Sequence, residues 1–490
     1  MAGLFLGIDV GTSAVKALLV DDRQRAIAEA SEPLAISRPQ PLWSEQNPED
    51  WWTAVSRAVL TLKQAAPGGL GAVRAVGLSG QMHGAVLLDR NDTVLRPAIL
   101  WNDGRSHAEC RTLEHRVSDL AHIAGVPAMP GFTAPKLLWV AGHEPKLFSR
   151  IDAVLLPKDY VRFRLTGERI TDRSDAAGTL WLDQARRGWS AEILQATGLS
   201  AAQMPRLVEG SEAAGAARSD IARDWGLPHN VVVAGGAGDA AAGAIGIGAV
   251  SDGDAFVSLG TSGQYFVSTA AYRPFPEAFI HAYCHAVPER WFQMAAMLNG
   301  ASCLAWAARL VGAGEIDPLL ARVESIYRGA GELTFLPYLS GERTPHNDPY
   351  ARGVFFGLDA EVSTETLIQS VLEGVAYSFA EAQDCLAAAG TRVERIAAIG
   401  GGSRSRLWMR ILANVLDRPV TLYREGAQGP AFGAARLARL ASTGEAVRDV
   451  CTVPPVSEVI EPEPLLVEAY RPATEKFRRL YRTLKAEFRR

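Results

Sequence analysis

At 490 residues the chain is too long to bury its apolar side chains in one compact core, so two domains are expected. Hydrophobic residues make up 48% and charged residues 21%, a balance ordinary for globular proteins, and a formal net charge of -4 offers no broad basic face for nucleic acid. No apolar run is long enough for a membrane span, and Cys110, Cys284, Cys303, Cys385 and Cys451 are scattered without metal-ligand spacing, so a cytoplasmic enzyme with reduced thiols is expected.

Met1 to Gly3 run straight into an apolar segment without a basic start or cleavage site, so no leader is expected. Residues 4–21, L-F-L-G-I-D-V-G-T-S-A-V-K-A-L-L-V-D, predict two buried strands joined by a tight turn at Gly11, Thr12 and Ser13. The turn glycine lets backbone N–H groups approach an anion, two hydroxyls can donate to it, Lys16 adds positive charge and Asp9 can hold a hydrated cation. These are the parts of a nucleotide phosphate site. Pro48 opens an amphipathic helix to about Ala65, in which Trp51, Trp52, Val55, Val59 and Leu62 keep helical spacing and read as core.

Residues 72–78 predict a buried strand that empties into Ser79-Gly80-Gln81-Met82-His83-Gly84. There Gln81 and His83 can hydrogen-bond hydroxyls, and Met82 offers an adaptable apolar wall. Trp101-Asn102-Asp103-Gly104-Arg105 sets an indole face for the C–H side of a sugar beside a carboxylate for its hydroxyls; Arg105 reads equally as an ion-pair partner of Asp103. Residues 131–139 predict a helix starting after Pro135. Residues 151–167 predict a strand, then Pro157 and an amphipathic helix, and residues 172–178 a loop with no assigned chemistry.

A β-branched strand over 230–234 leads to Gly235-Gly236-Ala237-Gly238-Asp239 and a small-residue helix from Ala240 to Gly248. Asp239 reads either as a helix cap or as a base that takes a proton from a hydroxyl. The same small-residue stretch marks a boundary between domains 1–248 and 249–490. Residues 254–269 then repeat the opening device, with Gly260-Thr261-Ser262 at the tip, which predicts two related halves.

Gly300 precedes another helix, and residues 333–343 read as a strand and a structural loop. A buried strand over 395–399 feeds Gly400-Gly401-Gly402-Ser403 and a helix to about Leu416, which reads either as a plain strand-to-helix turn or as glycines that let a flat adenine ring or ribose lie against the backbone. No G-x-x-x-x-G-K-[ST] motif is present, so this is not a P-loop protein. Residues 429–440 form a further small-residue helix. The tail from Tyr470 is basic, with Phe477, Leu480, Tyr481, Leu484 and Phe488 on one face, suited to packing on the protein itself or on a second subunit.

On these motifs the chain resembles the FGGY carbohydrate kinases of the actin, Hsp70 and hexokinase superfamily, from residue 4 to about residue 440. Q-M-H-G at 81–84 has the form of the sugar loop in the xylulokinase branch, and W-N-D-x-R is the second sugar loop. Residues 131–139 and 353–373 resemble the two family signatures, with Gly142 and Thr366 as departures. The resemblance implies an α/β fold of two actin-like, ribonuclease H-like domains around a central catalytic cleft. It implies ATP and Mg2+ on Asp9, Thr12, Ser13, Lys16, Thr261, Ser262, Gly300, Gly401, Gly402 and Ser403, with Asp9 toward the metal. The sugar is then expected on Gln81, Met82, His83, Trp101 and Asp103, with Asp239 as general base.

The expected reaction is transfer of the γ-phosphate of ATP to the terminal 5-hydroxyl of a ketopentose, D-xylulose first. The expected partners are sugar and ATP, with neither nucleic acid nor membrane and with a homodimer allowed. Ala240 stands where many of that branch carry an Asn that touches the sugar, which leaves another ketose or polyol open, such as ribulose, ribitol or a deoxyketose. Outside the class, the rival is a non-catalytic ATP-dependent switch.

Overall fold

The computed structural model describes residues 3–424 and 429–489; the reading made at Met1 lies outside them. Two mixed sheets organise the chain. In the first, β1 (Leu4–Val10), β2 (Ala14–Asp21) and β3 (Ala26–Pro33) form an antiparallel meander. Next to β1, β4 (Val73–Gly80) runs parallel to it, and β5 (Val232–Ala234) runs parallel to β4.

The second sheet repeats the plan: β6 (Ala255–Leu259), β7 (Gly263–Thr269) and β8 (Trp291–Met297) are antiparallel, then β9 (Ile396–Ile399) and β10 (Val420–Tyr423) are parallel. Strand orders β3-β2-β1-β4-β5 and β8-β7-β6-β9-β10 are therefore equivalent, and both domains are ribonuclease H-like, as in actin-like proteins.

β1 is apolar on both faces because both are covered. On one face Leu6, Ile8 and Val10 meet Trp51, Val55, Val59 and Leu62 of α1 (Pro48–Ala65), which Pro48 starts and Asn47 caps. On the other, Phe5 packs with Ala431, Phe432, Ala435 and Ala438. Those four belong to a helix that follows the second sheet in sequence yet lies on the first.

Three further helices complete the frame: α2 (Asp239–Ile247), α3 (Thr364–Ala388) and α4 (Pro430–Thr443), the last being the one that returns. The tail is α5 (Pro464–Leu484), which begins earlier than Tyr470 and buries Tyr470, Phe477, Leu480 and Tyr481 in the second core. Tyr470 donates to Glu373 and Tyr481 to Asp348, each at 3.0 Å, so this apolar face is spent on its own chain. Among the described residues no helix is long and apolar enough to cross a membrane.

Candidate active site

Register places the chemistry at one sheet edge. Asp9 pairs with Ser79 and Val10 with Gly80; the short strand Ala237–Gly238 continues the rows beside β4, with Ala237 on Ser79 and Gly238 on Gly80. The chain therefore leaves the sheet side by side at Gly11, Gln81 and Asp239, at the carboxyl ends of the parallel strands, where open α/β sheets bind ligands.

Asp239 is the first residue of α2, and its Oδ1 accepts from the Ala240 N–H at 2.7 Å. Its carboxylate opens to the cleft while protein surrounds it at longer range. That poor hydration, reinforced by the Asp9 charge, pushes its pKa up to about 7. Burial also raises Asp9, against the Ser79 hydroxyl, which donates to Oδ1 at 2.8 Å, and against Lys16. Two carboxylates that oppose each other's charge make a natural seat for a cation. Among the described residues no group of three or more His, Cys, Asp or Glu side chains gathers, and Asp9 and Asp239 are the carboxylates present to face a hydrated cation.

The first hairpin tip is clamped from below. Gln81, buried, accepts from the Thr12 hydroxyl at 3.0 Å and donates to the Gly11 carbonyl and to Gln46, which itself donates to the Thr12 carbonyl at 2.8 Å. The Trp101 indole N–H donates to the same Thr12 hydroxyl at 2.9 Å. The Gln81 amide, expected on the sugar, is thus engaged with the hairpin, and the Thr12 hydroxyl, expected on the nucleotide, donates to Gln81. Ser13 remains exposed at the tip. Lys16 pairs with Glu29 at 3.0 Å on the surface, an ion pair weak enough to yield to a phosphate.

Met82 and His83, expected on the sugar, pack against the turns at Gly178 and Gly238. Cβ atoms added at Gly178 and Gly238 would stand 2.9 Å from the Met82 thioether end, so both loops close on it directly beside Asp239. His83 Nδ1 is 2.6 Å from the Gly178 carbonyl, which requires its N–H there, and its own carbonyl accepts from Thr133 and from the buried Lys136 Nζ at 2.8 Å. The helix that carries both runs Thr133–His143, two residues ahead of the Pro135 start read from the sequence.

Asp103, expected on the sugar, is enclosed: its side chain accepts twice from the Arg105 guanidinium and from the Ser44 N–H. Trp101, 37% exposed, and His83 line a cleft of about 810 Å³ whose other wall is His281, Glu342 and Arg343 from the second domain.

The nucleotide residues expected in the second domain converge. Thr261 and Ser262 are exposed at the second tip. Gly260 and Thr261 carbonyls accept from Ala301 and Gly300 N–H groups at 2.7 and 3.0 Å, and a Cβ on Gly300 would strike Ser262 at 2.5 Å. Gly402 lies against Leu259 at the end of β6, with Gly401 exposed and the Ser403 hydroxyl donating to Gly400.

One group escaped the sequence reading. Lys158, Asp159, Arg162, Asp172 and Asp175 are all fully buried behind the turn that precedes Asp239. Lys158 Nζ lies 2.6, 2.8 and 3.1 Å from Asp159, Asp172 and Asp175. Arg162 donates to the Gly235 carbonyl, and the Ser174 hydroxyl accepts from Gly238 N–H at 3.3 Å. Residues 172–178, read as a loop, are helical turns that Asp172 caps. The available signal was Lys158 and Arg162 sharing helical spacing with apolar Val161 and Leu165.

The model of the FGGY family of carbohydrate kinases, N-terminal domain, matches residues 4–246, and that of its C-terminal domain matches residues 255–442. The chain is 49% identical over 482 residues to the xylulose kinase of Escherichia coli K12, covering 98% of this chain and 99% of that one. Among solved structures, a xyloylose kinase from Brucella ovis superposes with a TM-score of 0.96 at 50% identity, covering 99% of each chain. A xylulose kinase from Rhodospirillum rubrum gives 0.93 at 32% identity, over 99% of this chain and 100% of that one. With both halves matched, the chain belongs to the FGGY family of carbohydrate kinases.

Proposed function

We propose that this carbohydrate kinase transfers the γ-phosphoryl group of ATP to the terminal 5-hydroxyl of D-xylulose; its likeness to the xylulose kinases above supports that acceptor. The observation that carries the reading is Asp239, a carboxylate that opens to the cleft beside Met82 and holds a proton up to about pH 7. The hydroxyl oxygen attacks the γ-phosphorus, and its proton passes to Asp239. As the new O–P bond forms, the bond to the β,γ-bridging oxygen breaks and ADP leaves with that oxygen. A base poised near neutrality accepts this proton and returns it to water after release.

In this reading Met82 and the open face of Trp101 wall the sugar, and His83 presents its remaining ring nitrogen to a hydroxyl. Ser13, Thr261 and Ser262 donate to the phosphates with Lys16 nearby, while Gly300, Gly401, Gly402 and Ser403 take the nucleoside side. Thr12, Gln81 and Asp103 act as positioning residues. Magnesium, held by Asp9 through water and by phosphate oxygens, would neutralise the charge of the transferring group. The domains are taken as 1–248 and 249–490, with α4 crossing back; closure between them excludes water. A cytoplasmic location and a homodimer complete the proposal, and sedimentation tests the latter.

Replacing Asp239 with Ala is expected to lower sugar-dependent ADP release by about 10²- to 10⁴-fold with ADP affinity unchanged. Retained turnover would remove Asp239 from the role. Ala240 favours a second reading, a kinase for another ketose or a polyol, because an amide that could read a hydroxyl is missing there. A panel of ketoses and polyols in a coupled ADP assay separates the two.

A further inference from the structure

The wall of the cleft that faces the sugar loops belongs to the second domain, and its residues have no assigned role. Arg343 lines it, and among the described residues its guanidinium makes no hydrogen bond and has no carboxylate within ion-pair distance. The adjacent Glu342 lines the same wall; its Oε1 accepts from the Leu298 and Arg343 N–H groups at 2.8 Å each, its buried Oε2 has no partner, and burial pushes its pKa up to about 8. His281 is 4% exposed, and its buried Nδ1 has no partner. Its ring lies 6.0 Å from that of Phe132, which lies 4.6 Å from that of His83. Arg343, His281 and His83 therefore surround one end of the cleft.

A half-buried guanidinium that makes no hydrogen bond is a set of donors lacking an oxygen. The acceptor supplies one. A ketopentose whose 5-hydroxyl is the nucleophile cannot also close its furanose ring through that oxygen, so the reacting sugar is open-chain and carries a free ketone. A ketone oxygen only accepts, and a guanidinium only donates.

We propose that Arg343 recognises the ketone oxygen of the acceptor, with His281 taking a neighbouring hydroxyl, so that the second domain reads the end of the sugar remote from Asp239. This inference rests on the ketose-kinase reading above. The loop bearing Arg343 is also bound to the nucleotide side: Asn299 Nδ2 donates to the Gly341 carbonyl at 2.8 Å, immediately before Gly300 at the second hairpin. Acceptor recognition and the phosphate loop thus sit on one body.

The test compares dissociation constants for D-xylulose and for xylitol, which carries a hydroxyl in place of the ketone, by calorimetry on ADP-loaded wild type, Arg343→Met and Arg343→Lys. Arg343→Met is expected to weaken D-xylulose binding about 10- to 100-fold and xylitol binding less than about three-fold. Arg343→Lys should fall between wild type and Met for D-xylulose, because an ammonium donates without the planar fork. Equal losses on both ligands, or no loss, overturn the proposal. If a melting curve shows that Arg343→Met is unfolded, Arg343→Lys carries the same comparison. A wild type that binds D-xylulose but never phosphorylates it would fail the kinase reading while leaving the Arg343 contact measurable.

Discussion

Asp239 shows how one residue can be both a cost to the fold and the working group of the site. Its pKa lies near 7 against an ordinary 3.8, so the folded protein binds this proton more tightly than the unfolded chain does. The penalty is absent below about pH 4, grows through the interval and is complete above pH 7. Asp239→Asn is therefore expected to melt with wild type at pH 4 and above it at pH 8, in a scan of melting temperature against pH. For catalysis the sign is reversed in use: kcat/KM for the sugar should rise about tenfold per pH unit below 7 and level off above. Asp239 was legible through the family resemblance, since an aspartate at a glycine-rich strand exit reads equally well as a helix cap. The commitment of Thr12, Gln81 and Asp103 was not, since composition shows what a side chain can donate or accept but not that Gln46 and Ser44 have already claimed it.

At the scale of elements, the two hairpins and the strand before Asp239 were readable from apolar runs ending at glycine. The helix Pro157–Thr166 was read only as amphipathic, and its buried face turns out to be ionic. Two cations face three carboxylates there, and burial, with the neighbouring Asp159 and Asp172 charges, drives the Asp175 pKa well upward against the pull of Lys158. Lys158 touches all three carboxylates, and Arg162 ties the same cluster to the Gly235 carbonyl. Lys158→Met would leave buried carboxylates facing only Arg162, a change that typically costs about 3–5 kcal/mol. Urea unfolding at pH 7 is expected to show a loss of that order, far above the effect of a surface charge change such as Arg448→Met.

At the scale of the whole molecule, the two halves are held by contacts that side chains would prevent. A Cβ on Gly7 or Gly77 would fall 1.9 or 1.8 Å from carbonyl oxygens of α4, and one on Gly433 would fall 1.9 Å from the Ala242 carbonyl of α2. Helix α4 is thus wedged between the first sheet and the helix whose first residue is Asp239. The sequence reading noted small residues in both helices but could not pair them, because the partners, such as Gly7 with Ala431 and Gly433 with Ala242, lie far apart along the chain. Gly433→Ala must push α2 away, so it is expected to lower stability by about 1–3 kcal/mol and to lower kcat through displacement of Asp239. Gly243, in the interior of the same α2, has open space where a Cβ would stand. Gly243→Ala is expected instead to raise stability by about 0.5–1 kcal/mol, the helical preference for alanine over glycine. Denaturant melts of the two variants side by side decide whether α2 is held by this contact: equal shifts would mean that helix propensity alone is being measured, opposite shifts that α4 holds α2, and a lower kcat for Gly433→Ala alone that the same contact positions the base.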